Sequence, residues 1–339
     1  MGDVPSHFDP RDTARVFRVP YAERADDARR FAEDHGIAPA AEDLWRVGLL
    51  LVDVQNTFCL PEFELFVAGR SGTGAVDDNA RLCSFLYRNL GTITEVVATL
   101  DTHGPLQIFH PAFWVDDRGQ HPSPHTTISV HDVESGRWRI NPQVAAVLPA
   151  LRSDPSAYAR HYVRRLEQGG RFPLTIWPYH GLLGGLGHAL VSSVEEAVFF
   201  HQIARGAPAR FVSKGHNPLT ENYSVLEPEV DVDHRGHLLV GRDEALVDHL
   251  LGFDLLVVAG QAKSHCVAWT VADLLTEIER RDPGLASRIR LLDDCSSAVC
   301  VAGVVDYTDS AAAAYRRFAA AGMQVVSSVD LDEELRRPV

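Results

Sequence analysis

A chain of 339 residues that is 45% hydrophobic is long enough to bury a large core, as one elaborated domain or as two. Its 46 acidic and 32 basic side chains give a formal charge of −14, spread without long single-sign blocks, which disfavours nucleic acid and anionic membrane as partners. Five cysteines without any Cys-x-x-Cys pair fit a reducing compartment rather than a disulfide framework. The first residues lack a basic flank followed by an apolar stretch, and no run approaches the length of a membrane span. The expectation is a soluble, cytoplasmic protein.

In chain order, residues 1–44 are polar and alanine-rich, with a helical piece over Tyr21 to His35. They are expected to form an N-terminal extension that wraps the domain or meets a neighbour. Short apolar runs then alternate with amphipathic stretches. The runs Val47 to Asp53, Thr94 to Leu100, Ala209 to Ser213, Leu255 to Ala259, Ile289 to Asp293 and Gln324 to Ser327 read as strands buried on both faces. Asp77 to Asn89, Val191 to Ala204, Arg242 to Leu250, Val267 to Arg280 and Asp309 to Ala320 read as the helices between them. That alternation predicts one α/β domain from about residue 45 onward, a doubly wound, mostly parallel sheet with helices on both faces. Its chemistry belongs at the carboxyl ends of the strands. A stretch of about 104–176 is too long for a connection and reads as a large insertion that carries its own structure, with helices near Pro142 to Leu151 and Tyr158 to Leu166.

Three side chains at strand ends stand out. Cys266 follows the run Leu255 to Ala259 by a short turn and opens the next helix, where unpaired N–H groups and the helix dipole favour a thiolate. The competing reading is a small buried hydrophobe, which suits Cys59, Cys83, Cys295 and Cys300. Asp53 closes the first strand, where burial demands a partner, and Lys214 closes the third. Adjacent parallel strands would bring acid, ammonium and thiol to one edge, an arrangement that generates and reprotonates a sulfur nucleophile. On a neighbouring strand, Asp101 and His103 are two residues apart and face the same side; with His180 of Trp177-Pro178-Tyr179-His180 they could hold one cation and leave positions open.

The ordered set Val52-Asp53-Val54-Gln55-Asn56-Thr57-Phe58, Leu100-Asp101-Thr102-His103, Trp177-Pro178-Tyr179-His180, Val212-Ser213-Lys214-Gly215 and Gly260-Gln261-Ala262-Lys263-Ser264-His265-Cys266-Val267 resembles the isochorismatase-like cysteine hydrolases, and within them the nicotinamidase branch. The resemblance implies a catalytic triad of Asp53, Lys214 and Cys266, and a divalent metal, usually zinc, iron or manganese, on Asp101, His103 and His180. It also implies a cis peptide at Gln261–Ala262, an oxyanion hole from the Ala262 and Cys266 N–H groups, substrate contacts from Phe58 and Gln261, and a homo-oligomer acting on a small-molecule amide. Three segments set the chain apart from the family pattern: Gly181 to His188 after the Trp-Pro-x-His motif, the long insert behind His103, and the loop His216 to Ser224 after Lys214. All bear on the substrate rather than on the nucleophile. The competing functions are hydrolysis of another small amide or carbamoyl compound, hydrolysis by a metal-bound hydroxide with Cys266 incidental, and binding without catalysis.

Overall fold

The structure is a computed structural model that describes residues 3–169, 171–301 and 303–335. Its centre is a six-stranded sheet of β1 (Val47–Val52), β2 (Ile93–Asp101), β3 (Arg210–Lys214), β4 (Leu255–Gly260), β5 (Ile289–Leu292) and β6 (Gln324–Val326). The order across the sheet is β6-β5-β4-β1-β2-β3, and every neighbouring pair is parallel. The chain winds from β1 through β2 to one edge and then from β4 through β6 to the other. The winding reverses between β1 and β4, and the crevice at their carboxyl ends is where open α/β sheets bind ligands.

The strands read as continuous apolar runs because both faces are covered. In β1, Val47, Leu49 and Leu51 pack into one core while Leu50 and Val52 pack into the other, the period of two expected of a strand. The first core is closed by α1 (Tyr21–His35), α2 (Gly74–Arg88) and α4 (Ser192–Arg205), the second by α5 (Glu244–Leu251), α6 (Cys266–Arg281) and α7 (Thr308–Ala320). Helix α6 forms because Val267, Val271, Leu274, Leu275 and Ile278 fall on one buried stripe. Arg280 and Arg281 in its last turn suit the negative end of its dipole. A final helix, α8 (Ser328–Leu335), follows β6. No helix among the described residues is long and apolar enough to cross a membrane.

The N-terminal region wraps its own chain. Ala28 of α1 is fully buried in the first core, Arg24 Nε meets Glu196 Oε1 of α4 at 2.6 Å, and the Phe17 N–H donates to Ser192 Oγ at 2.9 Å. The stretch of about 104–176 has a hydrophobic core of its own, built on Phe109, Phe113, Trp114, Trp138, Tyr158 and Tyr162. It contains α3 (Pro155–Gly169) and a small ladder of Trp114–Val115 with Arg139–Ile140. The helix expected over Pro142 to Leu151 stops at Val147 and resumes as a 3-10 turn at Pro149–Leu151. Pro149 causes the break, since a proline disfavours helical backbone in the residue before it.

Candidate active site

Register explains how the site assembles. Asp101 pairs with Lys214 across β2 and β3, and Val52 pairs with Gly260 across β1 and β4. Aligned residues of parallel neighbours point the same way, so strand ends 113 residues apart in the chain, Asp101 and Lys214, deliver side chains to one place. The Lys214 ammonium sits 2.8 Å from Asp101 Oδ1, 3.1 Å from Asp53 Oδ2 and 3.6 Å from Cys266 Sγ, and it donates to the Asn222 carbonyl at 2.7 Å. The Lys214 ammonium thus lies between Asp53 Oδ2 and Cys266 Sγ. All four side chains are buried. Asp53 lies just past β1 at φ 47°, a left-handed conformation that aspartate tolerates better than most residues. Thr99 locks it there, accepting from the Asp53 N–H at 3.0 Å and donating to Asp53 Oδ1 at 2.5 Å.

Burial pushes the Asp53 carboxyl above its usual range against the pull of Lys214, with Asp101 adding to the rise. Burial likewise pushes the Cys266 thiol far up, although Lys214 opposes it. Cys266 is the first residue of α6, as the sequence suggested, and there its burial opposes the pull of the helix dipole and of Lys214 toward a thiolate. Burial alone would lower Lys214, yet Asp101, Asp53 and Cys266 hold it well above the ordinary lysine value. Burial alone would raise Asp101, and the Lys214 ammonium 2.8 Å away works against that rise. One ammonium is thus shared between two carboxyl groups, and the proton that can move is the thiol's.

Asp101, His103 and His180 present three ligand atoms within 4.8 Å of one another, all buried. His103 Nε2 is 2.9 Å and His180 Nε2 3.6 Å from Asp101 Oδ2. His103 Nδ1 donates to the Gly215 carbonyl at 3.1 Å and His180 Nδ1 to the Pro178 carbonyl at 2.8 Å. A carbonyl only accepts, so both protons lie on Nδ1 and both Nε2 lone pairs turn toward the carboxylate. One carboxylate and two neutral imidazoles suit zinc, iron or manganese with positions left open, so the residues fit the group. Gly215, at φ 81°, is needed beside them, because a Cβ there would stand 2.4 Å from His103 Cε1.

The turn from β4 into α6 carries the remaining predicted residues. The Gln261–Ala262 peptide is cis. Among the described residues, the Ala262 and Cys266 N–H groups meet no protein acceptor, and both residues line a cavity of about 200 Å³. Gly260 permits the turn: it has φ 120°, and a Cβ on it would fall 2.1 Å from the Val52 carbonyl. Phe58 lines the cavity and meets His180 edge-on with ring centres 5.7 Å apart. Gln261 does not reach it, contrary to expectation. Its side chain is fully buried beneath the turn, donating to Asp78 Oδ2 at 2.8 Å and accepting from the Ser297 N–H at 3.2 Å. The polar groups under the turn claim it, so it braces the loop.

Several residues were not singled out from the sequence. Gln55 holds the end of β2 by accepting from the Asp101 N–H at 2.7 Å and donating to the Asp101 carbonyl at 3.0 Å. Trp177, Glu221 and Tyr223 wall the cavity with His265, itself a candidate substrate contact from its place beside Cys266, and Phe172 stacks on His265 at 4.4 Å. Only contact across distant loops reveals these roles. No short spacing marks them.

No protein-family model and no curated protein matches the chain. Solved structures do. A nicotinamidase/pyrazinamidase of Acinetobacter baumannii is 19% identical, with TM-score 0.50 over 86% of this chain and 100% of that one. The yeast nicotinamidase Pnc1p is 17% identical, with TM-score 0.51 over 83% and 99%. The same yeast protein bound to the inhibitor nicotinaldehyde gives 16% identity and TM-score 0.51 over 83% and 99%. The chain therefore has the fold of the nicotinamidases, and the α/β architecture expected from the motifs is the architecture found.

Proposed function

We propose that the protein is a metal-containing cysteine amidohydrolase of the isochorismatase-like superfamily, nicotinamidase-like, with nicotinamide, hydrolysed to nicotinate and ammonia, as its substrate of first choice. One observation carries this reading: a single ammonium lies within 3.6 Å of Asp53, Asp101 and the Cys266 sulfur, beside a cavity whose 200 Å³ suits a ligand smaller than the usual drug-sized guest.

In the proposed reaction, Asp53 takes the thiol proton as Cys266 Sγ bonds to the amide carbon. Lys214 holds the negative charge that builds on the carboxylate and sulfur. The Ala262 and Cys266 N–H groups receive the carbonyl oxygen as it becomes an oxyanion, and one such donor is worth about 2.7–4 kcal/mol. Asp53 returns the proton to the leaving nitrogen, the C–N bond breaks, and ammonia departs from a Cys266 thioester. Water then gives a proton to Asp53 and attacks the thioester carbon. The C–S bond breaks, the acid leaves, and the proton returns to sulfur. A divalent ion on Asp101, His103 and His180, with zinc as first choice and iron or manganese as alternatives, would supply Lewis-acid anchoring for a ring nitrogen or a water in the same cavity.

Hydrolysis of another small amide or carbamoyl compound on the same triad is the second reading, favoured by the inserted region that helps wall the cavity. The test is ammonia release from nicotinamide and a panel of small amides, with metal content measured before and after chelation. Turnover that the parent and Cys266→Ala proteins share equally would remove the thiol from the mechanism.

A further inference from the structure

The turn from β4 into α6 is fastened from behind by hydrogen bonds that the proposed chemistry leaves unused. The Lys263 N–H donates to the Ser297 carbonyl at 2.8 Å, the Ser297 N–H to Gln261 Oε1 at 3.2 Å, and the Val299 N–H to Ser264 Oγ at 3.1 Å. A backbone N–H only donates, so the Gln261 amide must turn its oxygen to Ser297 and its NH2 to Asp78 Oδ2, 2.8 Å away. Asp78, on α2, is 2% exposed and is held in turn by Arg81 Nη2, which donates to its Oδ1 at 2.8 Å. Ala262 therefore stands between two residues that are both tied to Ser297, while its own N–H meets no protein acceptor among the described residues. If the space under the turn needed only filling, apolar groups of the same shape would be nearly neutral or better for stability. What a satisfied polar network adds is a fixed position.

We propose that Asp78, acting through Gln261, is a positioning residue for the oxyanion hole: the pair sets where the Ala262 N–H points as the carbonyl oxygen gains charge. This role rests on the amidohydrolase reading and deepens it. Neither side chain lines the cavity, so the pair does not select the substrate. Its effect is confined to reactions of Cys266 in which an oxyanion forms. A misplacement of about 1 Å at a reacting centre costs about 10²-fold, and a whole oxyanion donor is worth about 10²–10³-fold.

The test compares two reactions of Cys266. With 4-nitrophenyl acetate, Sγ bonds to the acetyl carbon while Asp53 takes the thiol proton, the carbonyl oxygen becomes an oxyanion, and the C–O bond then breaks to release 4-nitrophenolate. With iodoacetamide, Sγ displaces iodide from the methylene carbon and no oxyanion forms. Subtracting the rates of the Cys266→Ala protein removes the share of the other four cysteines. Gln261→Met, similar in size but without the amide, lowers the ratio of acylation to alkylation about 10–10²-fold. Gln261→Glu, which sets a second carboxyl against Asp78, lowers it too. Adding Asp78→Asn to Gln261→Glu reverses the bond, because asparagine donates where aspartate accepted, and returns the ratio to within about threefold of the parent. Should the methionine variant not fold, the Glu and Asn pair carries the comparison. A ratio unchanged by Met or Glu, both reactions slowing alike, overturns the proposal and leaves the pair as scaffold; so does a deficit that Asp78→Asn does not repair. A parent protein that is alkylated but never acylated at Cys266 removes the amidohydrolase reading itself, and this role with it.

Discussion

The carboxyl edge of the sheet and the inserted region of residues 104–176 solve different problems with different materials. The edge takes Asp53, Lys214 and Asp101 from strand ends and Cys266 from a helix start, all tied to one hydrogen-bonded ladder. The insert has its own core and meets the cavity through Trp177 just past its end and His125 within it. Reacting atoms need placement to a fraction of an ångström, which a sheet provides. A pocket wall needs shape, which a separately packed insert can vary without moving the nucleophile.

The comparison breaks most visibly at Cys266. Cys266→Ala is expected to lower amide turnover by at least about 10⁴-fold while the melting temperature stays near that of the parent. Sustained turnover in the presence of metal would move the chemistry from sulfur to a hydroxide. Lys214→Met comes next, leaving Asp53 and Asp101 buried without the ammonium between them. A stability loss of about 3–5 kcal/mol is expected from denaturant melts, together with a turnover loss of about 10²-fold or more. A neutral result in both would mean that the shared ammonium is not what holds the edge together.

Phe113→Ala, in the core of the insert, tests how separate the two regions are. It should cost about 3–5 kcal/mol locally, raise KM more than it lowers kcat, and speed hydrogen exchange across residues 105–166 while β1 and β4 keep their protection. Equal loss of protection in the strands would show one cooperative unit instead of two. The smallest effect concerns the scaffold. Burial lowers His201 to about 4, below the 6.5 of an unfolded histidine. The unfolded chain therefore takes up that proton first as pH falls, so the contribution of His201 is full above about pH 6.5 and fades between 6.5 and 4, by ~3 kcal/mol at most. His201→Gln, retaining a donor for the Ile93 carbonyl that His201 Nε2 meets at 2.8 Å, should flatten stability over that interval.

The strands were legible because burial on both faces writes uninterrupted apolar runs such as Leu49-Leu50-Leu51-Val52, a pattern that needs no knowledge of neighbours. Asp53, Lys214 and Cys266 were legible for a related reason: a polar or reactive group at the end of such a run has an unpaid desolvation cost unless others meet it there. What the sequence left out at Gln261 and at Cys266 has a common cause. The sequence places Gln261 next to Ala262 but does not show that Asp78 of α2 and the Ser297 backbone wait beneath the turn. It places Cys266 at a helix start without showing how completely water is excluded, and that exclusion pushes the thiol up.

Chain order and hydrophobic pattern alone thus determined the α/β alternation, the separate insert and the residues able to do chemistry, because each is a local property of a segment. The strand order, the sharing of Lys214 by two acids and the hold of Asp78 on Gln261 were decided only in three dimensions. They depend on which remote groups become neighbours, and desolvation and Coulomb energies are set by neighbours rather than by sequence position.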